Sequence, residues 1–224
     1  MPIGFWLLSA ASFLLEVGVL VSILRSRLYR SYPIILAISV FGVAGVLLFT
    51  VALHYWRTDS LSYGVFYWTT DFLNHALILL LVISLIGRAL DPPAGKAVLV
   101  LTLFVFAWGL GWLAVLRNEP AWETALTVRL SFCEEILNFI LWIALIRSRR
   151  RDTILFLVTA GIGLQVTGEV IGHTIRIYAG RRFLWLPDIL VVVAEMLCLL
   201  IWNYAFWTAP AAESIPSPSS PPPA

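Results

Sequence analysis

The sequence has few charged residues, and this scarcity excludes an ordinary soluble domain. Only 12% of its 224 residues are Asp, Glu, Lys or Arg, whereas 60% are hydrophobic. A soluble domain of this length carries about a quarter charged residues, because its core needs a polar shell. Most of the chain is therefore expected to lie in a lipid bilayer.

Lysine and cysteine are also scarce. Lys96 is the single lysine, and the fifteen basic residues nearly balance the thirteen acidic ones. No basic stripe can follow a phosphate backbone, which argues against a nucleic-acid partner. The two cysteines, Cys133 and Cys198, lie in separate apolar runs and form neither a CxxC pair nor a disulfide framework.

Long apolar runs dominate what is present. Seven of them are long enough to cross a hydrocarbon layer of about 30 Å as helices. They are Ile3–Leu24, Pro33–Trp56, Tyr63–Leu90, Ala97–Leu116, Ala125–Ile146, Thr153–Ala179 and Pro187–Thr208. Because the runs are continuous and rich in leucine, they favour helices over barrel strands. The sequence predicts an all-α fold, a polytopic integral membrane bundle of seven transmembrane helices that forms one domain over residues 1–209.

The distribution of basic residues predicts the orientation of this bundle. Short connections make consecutive helices antiparallel, which places the basic residues of the connections on two faces. Nine lie on one face: Arg25, Arg27, Arg30, Arg88, Lys96, Arg147, Arg149, Arg150 and Arg151. Five lie on the other: Arg57, Arg117, Arg176, Arg181 and Arg182. The positive-inside rule then predicts an outside N-terminus and a cytoplasmic C-terminus, in a plasma membrane or bacterial inner membrane.

The last residues differ in composition from the apolar runs. Residues 210–224 are rich in proline and serine. Such a segment can neither continue a helix nor bury apolar area. We expect a disordered cytoplasmic tail.

Ionisable residues inside the predicted spans point to a site. A charged side chain at the membrane centre costs about 2.5–3.5 kcal/mol on insertion scales, so it usually faces a bundle interior or a wet cavity. The polar residues of the first, third, fifth, sixth and seventh spans include Glu16, Asp71, Asn74, His75, Ser131, Glu134, Glu135, Asn138, Gln165, Glu169, His173 and Glu195. In the third and sixth spans they recur every three or four residues and form one inward stripe per helix.

The antiparallel directions of the third and sixth spans predict which of these residues meet. A spacing of four residues rises about 6 Å, so Asp71 should lie level with His173, and His75 level with Glu169. Glu134 and Glu135 point about 100° apart, so at most one of them belongs to the same site. The residues expected to line a ligand-binding pocket in the outer half of the bilayer are Asp71, His75, Glu135, Glu169, His173 and Glu195.

Three functions fit this predicted pocket. The first is binding of a cation, a proton or a small solute by a transporter or sensor, since carboxylates beside histidines suit proton coupling. The second is a metal-dependent intramembrane enzyme, because N and O donors suit Zn, Fe or Mn. Its candidate ligands are Asp71, His75, Glu169 and His173. The third is a structural or assembly subunit whose polar stripes contact another membrane protein.

The positions of lysine and histidine in the sequence argue against two cofactors, covalently bound retinal and haem. Rhodopsins, which the chain resembles only in helix count, bind retinal through a lysine inside a membrane helix, and no predicted span contains one. Covalent retinal is therefore excluded. The membrane zinc hydrolases related to alkaline ceramidase are also similar only in helix count. They use three histidines with an aspartate, whereas no His-x3-His pattern occurs here and His54 is poorly placed, so the resemblance does not extend to the site residues. The offset of about 6 Å between His75 and His173 argues against a bis-histidine haem.

Gly168 and Gly172 lie one turn apart in the sixth span. Small residues at this spacing let two membrane helices approach closely. The pair predicts a helix-packing face rather than part of a ligand site.

Overall fold

The computed structural model describes residues 3–56, 60–89, 122–147, 152–178 and 185–209. Within these ranges there are six α-helices: α1 (Ile3–Arg25), α2 (Pro33–Tyr55), α3 (Leu61–Ala89), α4 (Trp122–Arg147), α5 (Thr153–Tyr178) and α6 (Trp185–Thr208). They correspond to six of the seven predicted spans, and the all-helical prediction is confirmed for the described residues. The fourth predicted span, Ala97–Leu116, and the predicted tail lie outside the described residues.

The helices have the composition of a multi-pass membrane protein. Among the described residues, α2, α3, α5 and α6 are long and apolar enough to cross a membrane. Large apolar side chains also point away from the bundle, among them Leu14, Leu47, Phe139 and Trp207, each more than half exposed. Such an outer surface is suited to contact with lipid chains. The side of the membrane that each terminus faces stays a prediction.

The helices pack in a ring. Each described helix contacts its neighbours in sequence, and α6 contacts α1, which closes the ring. As a result α4 lies between α3 and α5, which approach each other only over a short stretch. The polar stripes of α3 and α5, which the sequence predicts to face each other directly, thus have α4 between them over most of their length.

Local sequence explains several helix ends. Pro33 occupies the first turn of α2, where its missing N–H costs nothing. Asp152 caps α5, because its Oδ1 accepts hydrogen bonds from the backbone N–H groups of Ile154 and Leu155 at 3.0 and 3.1 Å. Ser60 Oγ accepts one from the backbone N–H of Tyr63 at 3.2 Å in the first turn of α3.

Polar contacts link the α1–α2 connection to the end of α3 and the start of α5 at one end of the bundle. The Tyr32 hydroxyl donates a hydrogen bond to Asp152 Oδ2 at 3.4 Å. Burial and the adjacent Asp152 carboxylate raise the pKa of Tyr32, which keeps this donor protonated. The Arg88 guanidinium lies 4.6 Å from the centre of the Tyr32 ring and donates to the Ser31 carbonyl oxygen. The α1–α2 connection, the end of α3 and the start of α5 therefore meet here, at what we call the Tyr32 end.

Three other helices, α1, α4 and α6, also end at the Tyr32 end. The Arg25 guanidinium, at the end of α1, lies 4.4 Å from the ring centre of Trp207, at the end of α6. Since α4 ends at Arg147, shortly before Asp152, it also ends at the Tyr32 end. It follows that α3 ends and α4 begins at opposite ends of the bundle.

Apolar and polar interiors are separated along the bundle axis. The buried apolar cluster fills the half near the Tyr32 end, with Val19, Leu85, Ile162 and Phe206 among its members. Four buried ionisable residues lie farther from that end, each three residues beyond the nearest buried cluster member of its own helix: Glu16, His75, Glu134 and Glu169. The buried carboxyl and imidazole groups thus lie between this apolar cluster and the opposite end of the bundle.

Close packing of α5 against α6 depends on glycine. A Cβ at Gly168 would overlap Ala194, and a Cβ at Gly172 would lie 2.5 Å from Val191 Cγ2 and 3.2 Å from the Pro187 carbonyl oxygen. The predicted small-residue packing face is confirmed.

Candidate functional site

A pair of ionisable side chains joins α3 to α4 in the polar half of the bundle. His75 Nδ1 lies 3.0 Å from Glu134 Oε1. His75 is 2% exposed, and Glu134 is fully buried. His75 belongs to the same buried stripe of α3 as Ile78 and Val82, so the periodicity that builds the apolar core also turns the imidazole inward.

Glu169 of α5 completes a group of three with this pair. One ligating atom from each of His75, Glu134 and Glu169 lies within 4.8 Å of the others, and all three residues are buried. Gln165 Nε2, one turn earlier in α5, donates a hydrogen bond to Glu169 Oε1 at 3.1 Å. We refer to these three residues as the histidine–glutamate group.

Asp71 contacts the other side of the imidazole. Its Oδ2 lies 3.9 Å from His75 Nε2 and accepts a hydrogen bond from Thr127 Oγ1 of α4 at 2.8 Å. Each imidazole nitrogen therefore faces a carboxylate. This arrangement suits either a protonated imidazole between two carboxylates or a neutral imidazole that binds a cation through one nitrogen.

A cavity of about 300 Å³ adjoins the histidine–glutamate group, with walls from α1, α2, α3, α5 and α6. Its lining includes four acidic residues: Glu16, Asp71, Glu169 and Glu195. All of its lining residues lie more than one helical turn from either end of their helices. No Lys, Arg or His lines the cavity in the part of the chain that the structure describes. We call this space the acidic cavity.

The wall formed by α1, α2 and α6 holds two of these carboxyl groups. Glu16 is buried against the α2 backbone at Gly42, where a Cβ would lie only 2.6 Å from Glu16 Oε1. Ser12 Oγ donates a long hydrogen bond to Glu195 Oε1 at 3.5 Å. Glycine at position 42 therefore makes room for the Glu16 carboxyl group.

A guanidinium lies just outside the lining. Arg176 of α5 donates a hydrogen bond to the hydroxyl of Tyr67, a residue that lines the acidic cavity. Among the described residues, the lining of the acidic cavity therefore has four acidic side chains and no basic one, and Arg176 adjoins it from outside.

The structure brings together most of the residues predicted from the sequence. Asp71, His75 and Glu169 are neighbours, and Glu195 lines the same cavity as Asp71 and Glu169. Glu169 was expected to pair with His75, and its carboxyl group does lie beside the imidazole. The direct hydrogen bond of His75, however, goes to Glu134.

Of the two adjacent glutamates, the structure places Glu134 in the group and Glu135 elsewhere. Glu135 is half-buried, and its Oε1 accepts a hydrogen bond from Thr167 Oγ1 at 3.1 Å. The sequence contains a signal that distinguishes them. The buried polar residues of α4 follow one helical stripe, Thr127, Ser131, Glu134 and Asn138, and Glu135 lies off it.

Glu16 and His173 also differ from their predicted positions. Glu16 is not among the residues predicted to line the pocket, yet it lines the acidic cavity. His173 is half-buried on α5, one turn beyond Glu169, and belongs neither to the described lining nor to the histidine–glutamate group. The pairing of Asp71 with His173 stays a prediction.

The fold and the site together define a class of protein: a multi-pass helical membrane protein with a buried group of acidic and histidine side chains. No family model, no curated protein and no solved structure matches the chain. The chemistry of these residues is therefore what bears on the function.

Proposed function

We propose that the protein binds a small cation in the acidic cavity and acts as a transporter or a sensor for it. The observation that carries this proposal is the lining, in which four carboxyl groups share one space between membrane-spanning helices. Carboxylates in a medium of low dielectric repel one another unless they are protonated, paired or bound by a cation. Arg176 can offset only part of this charge.

The volume of the cavity limits the size of the ligand. About 300 Å³ corresponds to roughly ten water molecules at about 30 Å³ each. This space suits a metal ion with part of its hydration shell, a hydronium ion with water, or a small organic ammonium ion. It is at the lower limit for organic ligands of drug size.

The cation can be identified by ligand-dependent stability. We expect one member of a panel (Na⁺, K⁺, Mg²⁺, Ca²⁺, Mn²⁺ and methylammonium) to raise the Tm of the detergent-purified chain in a saturable way. A ligand at a hundred times its Kd stabilises the folded state by about 2.7 kcal/mol. Glu16→Gln and Glu195→Gln should each weaken this stabilisation, because each removes a lining carboxylate while preserving side-chain shape.

Glu135→Gln is the matched control for these variants. It makes the same chemical change at a glutamate outside the acidic cavity, and it should leave the cation-dependent rise in Tm unchanged. The proposal is wrong if no cation in the panel stabilises the wild type more than Glu195→Gln. Flux of the identified cation into proteoliposomes then separates a transporter, which moves it, from a sensor, which does not.

The direction in which the cavity opens follows from the predicted orientation. Three of the four lining carboxyl groups, those of Asp71, Glu169 and Glu195, lie in the half of the bundle away from the Tyr32 end, and Glu16 lies near the middle of α1. The Tyr32 end carries Arg25 and Arg88. The positive-inside rule makes it cytoplasmic, so we expect the acidic cavity in the outer half of the membrane. Reporters fused to the C-terminus should be active in the cytoplasm. Activity only on the other side would reverse the orientation of the cavity.

A further inference from the structure

We propose that His75, Glu134 and Glu169 bind a divalent first-row transition metal ion, such as Zn²⁺ or Mn²⁺. The ion would lie beside the acidic cavity rather than within it, because His75 and Glu134 are not among the residues that line it. The proposed metal site consists of these three side chains and does not depend on which cation enters the acidic cavity.

The first support is the unused bonding capacity of the two glutamates. Glu134 Oε2 and Glu169 Oε2 are buried and have no hydrogen-bond partner among the described residues. Glu134 is fully buried, and Glu169 is 8% exposed. An unpartnered carboxylate oxygen at such depth is costly, and a metal ion bound by the two carboxyl groups would offset that cost.

The second support is geometric. Donors bonded at about 2.0–2.1 Å to a tetrahedral ion lie about 3.3–3.4 Å apart. His75 Nδ1 and Glu134 Oε1 are 3.0 Å apart, and every donor in the group lies within 4.8 Å of the others. A modest rotation of the Glu169 side chain would bring its carboxylate into the same coordination sphere.

The third support is the environment of the imidazole. If Nδ1 binds the ion, Nε2 carries the proton and faces Asp71 Oδ2 at 3.9 Å. Asp71 is itself held by the Thr127 hydroxyl at 2.8 Å. Histidines that bind metal ions commonly donate their other N–H to a carboxylate, which fixes the tautomer and orients the ring. Asp71 is placed to take this part, and a shift of roughly 1 Å would bring the 3.9 Å contact to hydrogen-bond distance.

Charge and donor type indicate the class of metal. Two carboxylates and a neutral imidazole carry a charge of about −2, which a divalent ion neutralises in the buried group. A nitrogen donor beside two oxygen donors favours Zn²⁺, Mn²⁺ or Fe²⁺ over Ca²⁺ or Mg²⁺, which prefer oxygen ligands only. Since Glu169 also lines the acidic cavity, a remaining coordination position could be reached from there. Such a position is what a metal-dependent enzyme would require.

The test measures metal content directly. The full chain, purified in detergent and stripped with EDTA, is incubated with Zn²⁺ or Mn²⁺ in separate samples, desalted and analysed by mass spectrometry for bound metal. The wild type should retain about one equivalent of one of these ions, and Glu134→Gln and His75→Ala should each retain less than about a tenth. Glu134→Gln preserves shape and volume, so it keeps the test valid if His75→Ala fails to fold.

Three comparisons make the result specific. Glu135→Gln should retain the metal, because Glu135 accepts a hydrogen bond from Thr167 and does not belong to the histidine–glutamate group. Glu16→Gln and Glu195→Gln should retain it too, which separates this site from cation binding in the acidic cavity. Visible spectra of the Co²⁺-loaded wild type should show the bands of a site with a nitrogen ligand, and His75→Ala should lose them.

Two results would overturn the proposal. One is a wild type that retains less than about a tenth of an equivalent of both ions; the group would then be held by protons and hydrogen bonds alone. The other is Glu134→Gln that binds as much metal as the wild type, which would place any bound ion elsewhere in the chain.

Discussion

Glu134→Ala should destabilise the folded protein by roughly 3–5 kcal/mol, the range expected when one member of a buried ionic pair is removed. The imidazole of His75 is only 2% exposed, and its Nδ1 would lose the hydrogen-bond partner that lies 3.0 Å away. Unfolding of the detergent-purified chain with increasing denaturant measures this change. EDTA in the buffer keeps any bound metal from contributing.

A double-mutant cycle shows whether the effect belongs to the pair. His75→Ala combined with Glu134→Ala should cost less than the two single changes added, with a coupling of about 0.5–3 kcal/mol. Glu135→Ala should cost much less than Glu134→Ala, since Glu135 is half-buried on another face of α4. Additive effects at His75 and Glu134 would mean that the two side chains do not interact. The same cycle for Asp71 and His173 tests the pairing predicted from the sequence.

Enlarging Gly168 should separate α5 from α6. Even Gly168→Ala places a methyl group where the Ala194 side chain already lies, and Gly168→Leu adds more atoms that the closely packed helices cannot accommodate. Overpacking of this kind costs about 1–3 kcal/mol and occasionally more, and we expect Gly168→Leu at or above the top of that range. The free energy of unfolding in detergent measures the effect.

Gly64 provides the control, because a Cβ at that position meets nothing within 4 Å. Gly64→Ala should be neutral or slightly stabilising, since alanine has a better helix propensity than glycine. Combining Gly168→Ala with Ala194→Gly should recover part of the lost stability, as the second change removes the overlapping methyl group. Equal effects of Gly168→Ala and Gly64→Ala would contradict the close approach of the two helices.

The helices of this protein could be predicted well because each depends mainly on its own segment of sequence. A membrane helix satisfies its backbone hydrogen bonds internally, so length and composition define it without knowledge of its neighbours. The predicted start of α2 at Pro33 and of α5 at Thr153 agree with the structure. The spacing of Gly168 and Gly172 was informative for the same reason, since a packing face lies on one helix.

The candidate site was harder to predict because it depends on the arrangement of helices around the ring. Antiparallel directions place His75 and Glu169 at similar depth, and the structure brings them together. Depth alone does not reveal that α4 lies between their helices, and so it does not reveal Glu134 as the partner of His75. Adjacent glutamates have the same composition, and only the buried polar stripe of α4 distinguishes Glu134 from Glu135.

Glu169 has two roles in this arrangement, because it lines the acidic cavity and belongs to the histidine–glutamate group. A cation bound in the acidic cavity would neutralise part of the Glu169 charge and so weaken the attraction of the histidine–glutamate group for a second cation. The reverse holds for a cation bound in the group. Two cations that share this residue would therefore bind with negative cooperativity, each raising the Kd of the other by the same factor. Through the carboxylate of Glu169, a metal ion bound to the histidine–glutamate group would therefore control how tightly the acidic cavity binds its cation.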